Sequence, residues 1–151
     1  MQMKVLLVCS SGGHLTQLMC LRPWWEEHER QWVTFDTDDA VSKLRDEDVV
    51  WAHHPTTRNL PNLARNTRLA WRTMSSFQPD LVVTTGAAVA VPFFWMHRKF
   101  HASTIYLEVF DRIDSPTLTG RLCRPATDLF LVQWPEQQEL YRSSVLLGKV
   151  W

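Results

Sequence analysis

The sequence contains little cysteine, no net charge and no long apolar run, and each of these absences excludes a class of protein. Its three cysteines, Cys9, Cys20 and Cys123, are an odd number at wide spacing without a C-x-x-C pair, which argues against a disulfide framework and against a zinc site. Lysine plus arginine (16) equals aspartate plus glutamate (16), so the balance of charge gives no support for nucleic acid as a partner. No apolar run reaches the roughly 18 residues of a membrane-spanning helix, and no signal-like leader precedes the first apolar segment. We therefore expect a cytoplasmic chain that is neither exported nor anchored by a helix of its own.

Apolar stretches of strand length alternate with stretches of helical periodicity, and 45% of the residues are hydrophobic, which is enough for one domain over residues 1–151. The predicted strands are 3–8, 31–37, 49–53, 81–84, 103–109 and 128–134. The predicted helices are 14–29, one beginning near 38, 60–77, and shorter ones near Pro92, after Pro116 and from Pro135. Residues 144–151 are either a last edge strand or the start of a connection. The alternation predicts an α/β protein with a Rossmann-like parallel sheet and helices on both faces, whose ligand binds outside the carboxyl ends of the strands.

Small residues follow the first predicted strand: Ser10, Ser11, Gly12, Gly13 and His14. They let the backbone turn tightly and approach another molecule, while the next helix points its positive end at the same place. The turn is neither G-x-G-x-x-G nor a P-loop, and a tight turn capped by serine is an equally good interpretation. At the first turn of a helix the dipole favours a neutral imidazole, so His14 can accept a proton from a hydroxyl. The alternative is that His14 only hydrogen-bonds a neighbouring loop.

A second small-residue turn, at Thr85, Gly86 and Ala87, follows another predicted strand and repeats the pattern of the first turn. Glu108 lies at the end of a further apolar strand, on the side of the sheet where both turns are expected. A carboxylate there can orient a sugar hydroxyl or act as a base, but it can equally pair with Arg112.

Eight tryptophans are many for this length, and tryptophan prefers sites where one edge of the ring is apolar and the other is wet. The segment VPFFWMHRKF (91–100) combines apolar bulk with positive charge, which is typical of a surface that contacts anionic headgroups. We expect peripheral membrane contact through Phe93, Phe94, Trp95, Arg98 and Lys99. The alternative is that this segment is a core-facing helix behind the second glycine turn.

Three segments in this order, KVLLVCSSGGHLTQL, PDLVVTTGAAVAVPFFW and IYLEVFDRIDSPTLTGRL, resemble the acceptor-side half of split glycosyltransferases with the GT-B fold. That family includes the membrane-anchored subunit of the eukaryotic dolichyl-diphosphate N-acetylglucosaminyltransferase and bacterial PssD-type and capsule enhancer proteins. The same loops are similar to those of the MurG N-terminal domain. The resemblance covers nearly the whole chain.

The resemblance implies that both glycine turns face a lipid-diphosphate acceptor, with Ser10, Ser11, Gly12, Gly13, Thr85, Gly86, Ala87 and Arg112 as its binding residues. His14 or Glu108 would remove the proton from the acceptor hydroxyl, and Glu108 with Arg112 matches the family's E-x-x-x-R pattern. The chain would then be a subunit of a bacterial exopolysaccharide or capsule glycosyltransferase, peripheral to the inner face of the cell membrane. It would bind a polyprenyl-diphosphate-linked sugar, and a separate donor-binding subunit would supply the UDP-sugar for an inverting transfer.

On this interpretation the chain is inactive alone, and no motif requires a metal or another cofactor. The alternative function is a noncatalytic Rossmann-like nucleotide-binding or regulatory module, in which the glycine turns hold a phosphate and nothing reacts.

Overall fold

A computed structural model describes residues 1–150, whose strands form a seven-stranded sheet with the order β3-β2-β1-β4-β5-β6-β7. Every neighbouring pair is parallel. The strands are β1 (Lys4–Cys9), β2 (Glu29–Thr34), β3 (Val49–Trp51), β4 (Leu81–Gly86), β5 (Ser103–Leu107), β6 (Leu129–Val132) and β7 (Val145–Leu146). The chain adds strands on one side of β1 as far as β3 and then crosses to β4 on the other side. The order therefore reverses between β1 and β4, where open α/β sheets place their ligands.

Helices cover both faces of the sheet, as the alternation of elements predicts. They are α1 (Gly13–Cys20), α2 (Arg22–Trp25), α3 (Asp38–Lys43), α4 (Leu60–Phe77), α5 (Ala90–Met96), α6 (Leu118–Cys123) and α7 (Pro135–Leu140), with 3₁₀ turns at His97–Phe100 and Arg124–Ala126.

The hydrophobic core has two layers because alternate residues of a strand point to opposite faces. Val5 and Leu7 of β1 pack with α1, α2 and α3, whereas Leu6 and Val8 pack with α4, α5 and α6. The first layer holds Trp25 and Trp32, whose rings meet edge to face at 5.3 Å.

Several element boundaries differ from the sequence prediction, although α4 begins and ends at the predicted residues. The helix predicted over 14–29, with Pro23 as a possible end or kink, is shorter than predicted: α1 ends at Cys20, and a separate turn of helix, α2, has Pro23 in its first positions. Strand β2 starts at Glu29 and ends at Thr34, earlier than predicted, because Thr37 instead caps α3 by accepting a hydrogen bond from the Ala40 N–H. Of the segment 144–151, Val145–Leu146 form an edge strand paired with β6, and Trp151 lies outside the described residues.

The expectation that Phe93 and Phe94 contact a membrane is wrong. Both are 0% exposed, because α5 packs beside α4 and α6 and buries these rings against the sheet. The Phe94 ring meets the Tyr106 ring of β5 at 6.0 Å. Trp95 points away from this core and is 58% exposed. Of the predicted apolar contacts, only Trp95 therefore lies at the surface.

Candidate functional site

A cleft of about 880 Å³ lies outside the carboxyl ends of the strands, at the reversal of strand order. Loops following β1, β2, β3, β4 and β5 and the start of α6 enclose it. Its lining includes Ser10, His14, Phe35, His54, Arg58, Ala87, Val109, Asp111, Arg112, Thr117 and Leu118. The structure therefore brings four predicted site residues, Ser10, His14, Ala87 and Arg112, to one cavity.

His14 and Thr85 join the two glycine turns by a pair of hydrogen bonds. The His14 Nδ1 lies 2.8 Å from the Thr85 carbonyl oxygen, and the Thr85 hydroxyl donates to the His14 carbonyl at 2.7 Å. A carbonyl oxygen can only accept, so Nδ1 carries a proton, and the neutral form of the ring has its lone pair at Nε2. No hydrogen bond within residues 1–150 engages Nε2. The loop contact expected as an alternative role is present, and it leaves the other nitrogen free to act as a base.

Gly86 is required for this approach of the two turns. Its φ is +112°, and an added Cβ would lie 3.0 Å from the Tyr106 hydroxyl oxygen and 3.1 Å from Cε1 of His14. A side chain would therefore meet both rings in addition to being strained. The next residue, Ala87, also has a positive φ, of 75°. Positive φ in a residue with a Cβ costs free energy and recurs at binding sites.

The first turn of α1 has no side-chain cap. Its N-cap is Gly12, with a φ of 76°, and the Ser10 hydroxyl lies instead 3.4 Å from the Ser11 carbonyl oxygen. The interpretation of the turn as serine-capped is therefore wrong. Backbone N–H groups at an uncapped helix start can bind an anion, favoured by the helix dipole.

Glu108 does not reach the cleft, so the expectation that its carboxylate faces a ligand is wrong. It is 0% exposed and accepts hydrogen bonds from the Val109 N–H (3.1 Å), the Thr117 hydroxyl (2.9 Å) and the Tyr141 hydroxyl. These donors satisfy the carboxylate internally, and the expected alternative of a pair with Arg112 is not formed. The pKa of the neighbouring Tyr106 hydroxyl is raised well above its usual value, mainly by burial and further by the Glu108 charge.

Two arginines, from different loops, line the cleft. Arg58 follows β3 and Arg112 follows β5, and neither forms an ion pair within residues 1–150. Asp111 also lines the cavity, as does His54, whose Nε2 lies 3.2 Å from Oδ1 of Asp36. Unpaired guanidinium groups are suited to phosphate oxygens.

Three residues of the cleft lining, His54, Phe35 and Thr117, are absent from the predicted site. His54 follows the predicted strand 49–53, and the rule that the ends of parallel strands share one edge could have found it. Phe35 lies inside the predicted strand 31–37, and it follows a strand only because β2 ends earlier, at Thr34. Thr117 carries no such signal, because it enters the cleft only through the start of α6.

No group of three or more His, Cys, Asp or Glu within residues 1–150 is placed to hold a metal ion. Over the same residues, none of the helices is both long enough and apolar enough to span a membrane.

The all-parallel sheet with its reversal at β1 and β4, and a cleft at that point, define one Rossmann-like half of a GT-B fold. Solved structures with this fold include MurG from Acinetobacter baumannii, at 15% identity and a TM-score of 0.76 over 95% of this chain. A second is the S. aureus MnaA–UDP co-structure, at 12% identity and a TM-score of 0.75 over 99% of this chain. The chain spans less than half of either structure, 44% and 46% of their lengths.

The chain belongs to the family described as oligosaccharide biosynthesis protein Alg14 like, whose model matches residues 60–150. A curated relative, the UDP-N-acetylglucosamine transferase subunit ALG14 of Mus musculus, is 24% identical over 180 aligned residues, covering 98% of this chain and 83% of the relative. The resemblance noted from the three sequence segments is thereby confirmed.

Proposed function

We propose that this chain is the acceptor-binding subunit of a two-component glycosyltransferase. Its cleft binds a sugar linked to a lipid diphosphate, and a separate subunit binds the UDP-sugar. The observation that carries the proposal concerns His14, which lines the cleft. Its Nδ1 is held by the Thr85 carbonyl, which leaves the lone pair of the neutral ring at Nε2. A neutral imidazole so held can take the proton of an acceptor hydroxyl as that oxygen attacks the anomeric carbon of the donor and the UDP leaves.

Positive groups in the cleft that contains His14 support the proposal that the acceptor's diphosphate binds next to the loops. The uncapped start of α1 offers backbone N–H groups, and Arg58 and Arg112 offer guanidinium groups from the loops after β3 and β5. Together these groups can neutralise phosphate charge without a metal ion. Ser10 and Ala87 line the space between them.

The name of a relative supports a partner subunit, because the mouse relative is itself named a transferase subunit. The chain matches 44% of the length of MurG. A GT-B site lies between two halves, so we infer that the partner supplies the other wall of the cleft. We extend this to a bacterial exopolysaccharide or capsule enzyme, an inference that rests on the sequence resemblance.

Membrane contact in this proposal uses the exposed face of α4, α5 and α6, here called the helical face. Large apolar side chains are exposed on all three helices: Leu63, Trp71, Trp95 and Leu122. Exposed basic residues accompany them at Arg68, Arg72, Arg98 and Lys99, and the Lys99 ammonium lies 4.3 Å from the Trp71 ring centre. An apolar patch with basic residues fits an anionic lipid surface at the cytoplasmic side of a membrane.

The decisive experiment is co-expression with a candidate donor-binding subunit, encoded by a neighbouring gene, and an assay with a farnesyl-diphosphate-linked sugar and a panel of UDP-sugars. We expect transfer only when both chains are present. Transfer by this chain alone would contradict the two-component proposal. Tight binding of a free nucleotide by this chain alone, with no transfer by the pair, would instead support the noncatalytic nucleotide-binding alternative.

A further inference from the structure

Four polar side chains, Glu108, Gln133, Gln137 and Tyr141, are buried together at the carboxyl ends of β5 and β6 and in α7. We call them the buried polar network. Glu108 and Gln137 are both 0% exposed. Burying a carboxylate and two amides costs free energy unless each polar atom finds a partner. The hydrogen-bond partners of these side chains show which segments the network holds in place.

Gln137 holds the turn that carries Arg112. Its Nε2 donates to the Val109 carbonyl at 2.8 Å and to the Arg112 carbonyl at 3.2 Å. Its Oε1 accepts from the Gln133 N–H at 2.8 Å. An amide is required, because one end of the side chain must donate to two carbonyls while the other accepts from a backbone N–H.

Glu108 holds both ends of the segment that follows β5. It accepts from the Val109 N–H at the start of that segment and from the Thr117 hydroxyl at its end. Thr117 in turn caps α6 by accepting from the Gly120 N–H at 2.9 Å. The Tyr141 hydroxyl donates to Glu108 and accepts from the Thr117 N–H at 2.9 Å, which ties α7 to the same point.

The residues between these attachments are themselves exposed. Residues 110–115 lie at the surface with no strand or helix of their own, and Arg112 is among them. The Arg112 backbone is held by two contacts: its N–H donates to the Val109 carbonyl at 3.5 Å within the turn, and its carbonyl accepts from the Gln137 amide at 3.2 Å.

We propose that Gln137 and Glu108 are positioning residues, which place Arg112 and the start of α6 against the acceptor diphosphate without touching the ligand. The proposal rests on the proposed function, because it assigns Arg112 to that ligand. It makes Glu108 a support of the cleft wall rather than a proton acceptor. The sequence offers no motif for Gln137, whose role arises only from the packing of α7.

The test compares Gln137→Glu with the wild type in the purified full chain, using farnesyl diphosphate as the probe. The substitution keeps the acceptor oxygen for Gln133 but places a carboxylate oxygen against two carbonyls. We expect binding of the probe to weaken by about tenfold, the scale of one charge-assisted hydrogen bond. Hydrogen exchange of amides in residues 109–117 should become faster, while the amides of β1 and β4 keep their protection.

Gln138→Glu is the matched control. Gln138 is the exposed neighbour, and its Nε2 donates to the Ser144 carbonyl at 3.2 Å, away from the cleft. The control should bind the probe like the wild type. Thr117→Val and Thr117→Ser test the Glu108 side: the first removes the hydroxyl and should weaken binding, and the second keeps it and should restore affinity.

A double-mutant cycle decides whether the network acts through Arg112. Arg112→Gln should weaken binding by a similar factor, and Gln137→Glu should cause little further loss when it is added to Arg112→Gln. Additive losses, unchanged exchange in residues 109–117, or an equal effect of Gln138→Glu would overturn the positioning role. A wild-type chain that does not bind farnesyl diphosphate would instead count against the proposed function, since the exchange measurement needs no ligand.

Discussion

The imidazole of His14 and the side chain of Thr85 exchange two hydrogen bonds, of 2.8 and 2.7 Å, each to the other's backbone carbonyl. This relationship joins the loops after β1 and β4, the two strands between which the order of the sheet reverses. It also fixes which ring nitrogen carries the proton. The same pair of hydrogen bonds therefore joins the two loops and determines that Nδ1 of His14 carries a proton.

We predict that His14→Asn removes the proton acceptor but keeps the contact between the loops, because the asparagine amide nitrogen takes the position of Nδ1 and can still donate to the Thr85 carbonyl. Sugar transfer by the assembled enzyme should fall by roughly 10²–10⁴-fold, the usual contribution of a positioned base. The melting temperature is the control and should change little. Transfer at close to the wild-type rate would contradict the assignment of His14 as the base.

Gly86→Ala should destabilise the chain by about 1–3 kcal/mol, since the new Cβ meets Tyr106 and His14 and φ remains positive. Gly13→Ala is the control, because no atom lies within 4 Å of its added Cβ and its φ is not in the left-handed region. Chemical denaturation of both variants measures the difference. If Gly86→Ala and Gly13→Ala had equal free energies of unfolding, the space around Gly86 would accommodate a Cβ and the prediction would be wrong.

Trp95→Ser should release the chain from anionic lipid vesicles with only a small loss of stability, because Trp95 is exposed and its indole N–H makes one hydrogen bond, to the Leu122 carbonyl. Phe94→Ser should instead destabilise the fold by at least about 3 kcal/mol, as expected for a fully buried aromatic ring. Vesicle co-sedimentation and thermal melting separate the two effects. If Trp95→Ser and Trp71→Ser both still bind vesicles normally, the helical face is not the membrane contact.

The thiols should differ sharply in reactivity. Burial raises the pKa of Cys9 and of Cys123 to about 12, whereas Cys20 is exposed. At pH 8 a disulfide reagent should modify Cys20 in the native chain and leave the other two unmodified until the chain unfolds. A Cys20→Ser variant that reacts as fast as the wild type would refute this.

The same two thiols give a pH dependence of stability. Each keeps its proton in the folded chain, whereas the unfolded chain loses it above pH 9, near the ordinary thiol pKa. The unfolded state therefore binds fewer protons between pH 9 and 12, and the free energy of unfolding falls as pH rises through that range. Urea titrations at pH 8 and pH 10 should show the loss, and Cys9→Ala should reduce it.

The sequence alone determined the fold class and the edge of the sheet at which the two small-residue turns lie. Alternating strand and helix periods require a parallel sheet, because each strand must be reached through a crossover helix. The predicted small-residue turns at Gly13 and Gly86 then had to lie at one edge of that sheet. Residues 60–77 were predicted without error because an amphipathic helix of that length carries a strong period.

Tertiary structure decided which side chains face the cleft. The predicted strand 103–109 ends in Leu-Glu-Val, and nothing local distinguishes a Glu108 that meets a ligand from one that Thr117 and Tyr141 cover. Phe94 and Trp95 are adjacent apolar residues, yet one is buried in the core and the other is exposed, because the packing of α5 between α4 and α6 sets its rotation. Periodicity is a local property of the sequence. Exposure and hydrogen-bond partners depend instead on residues distant in sequence, which come into contact only in the folded chain.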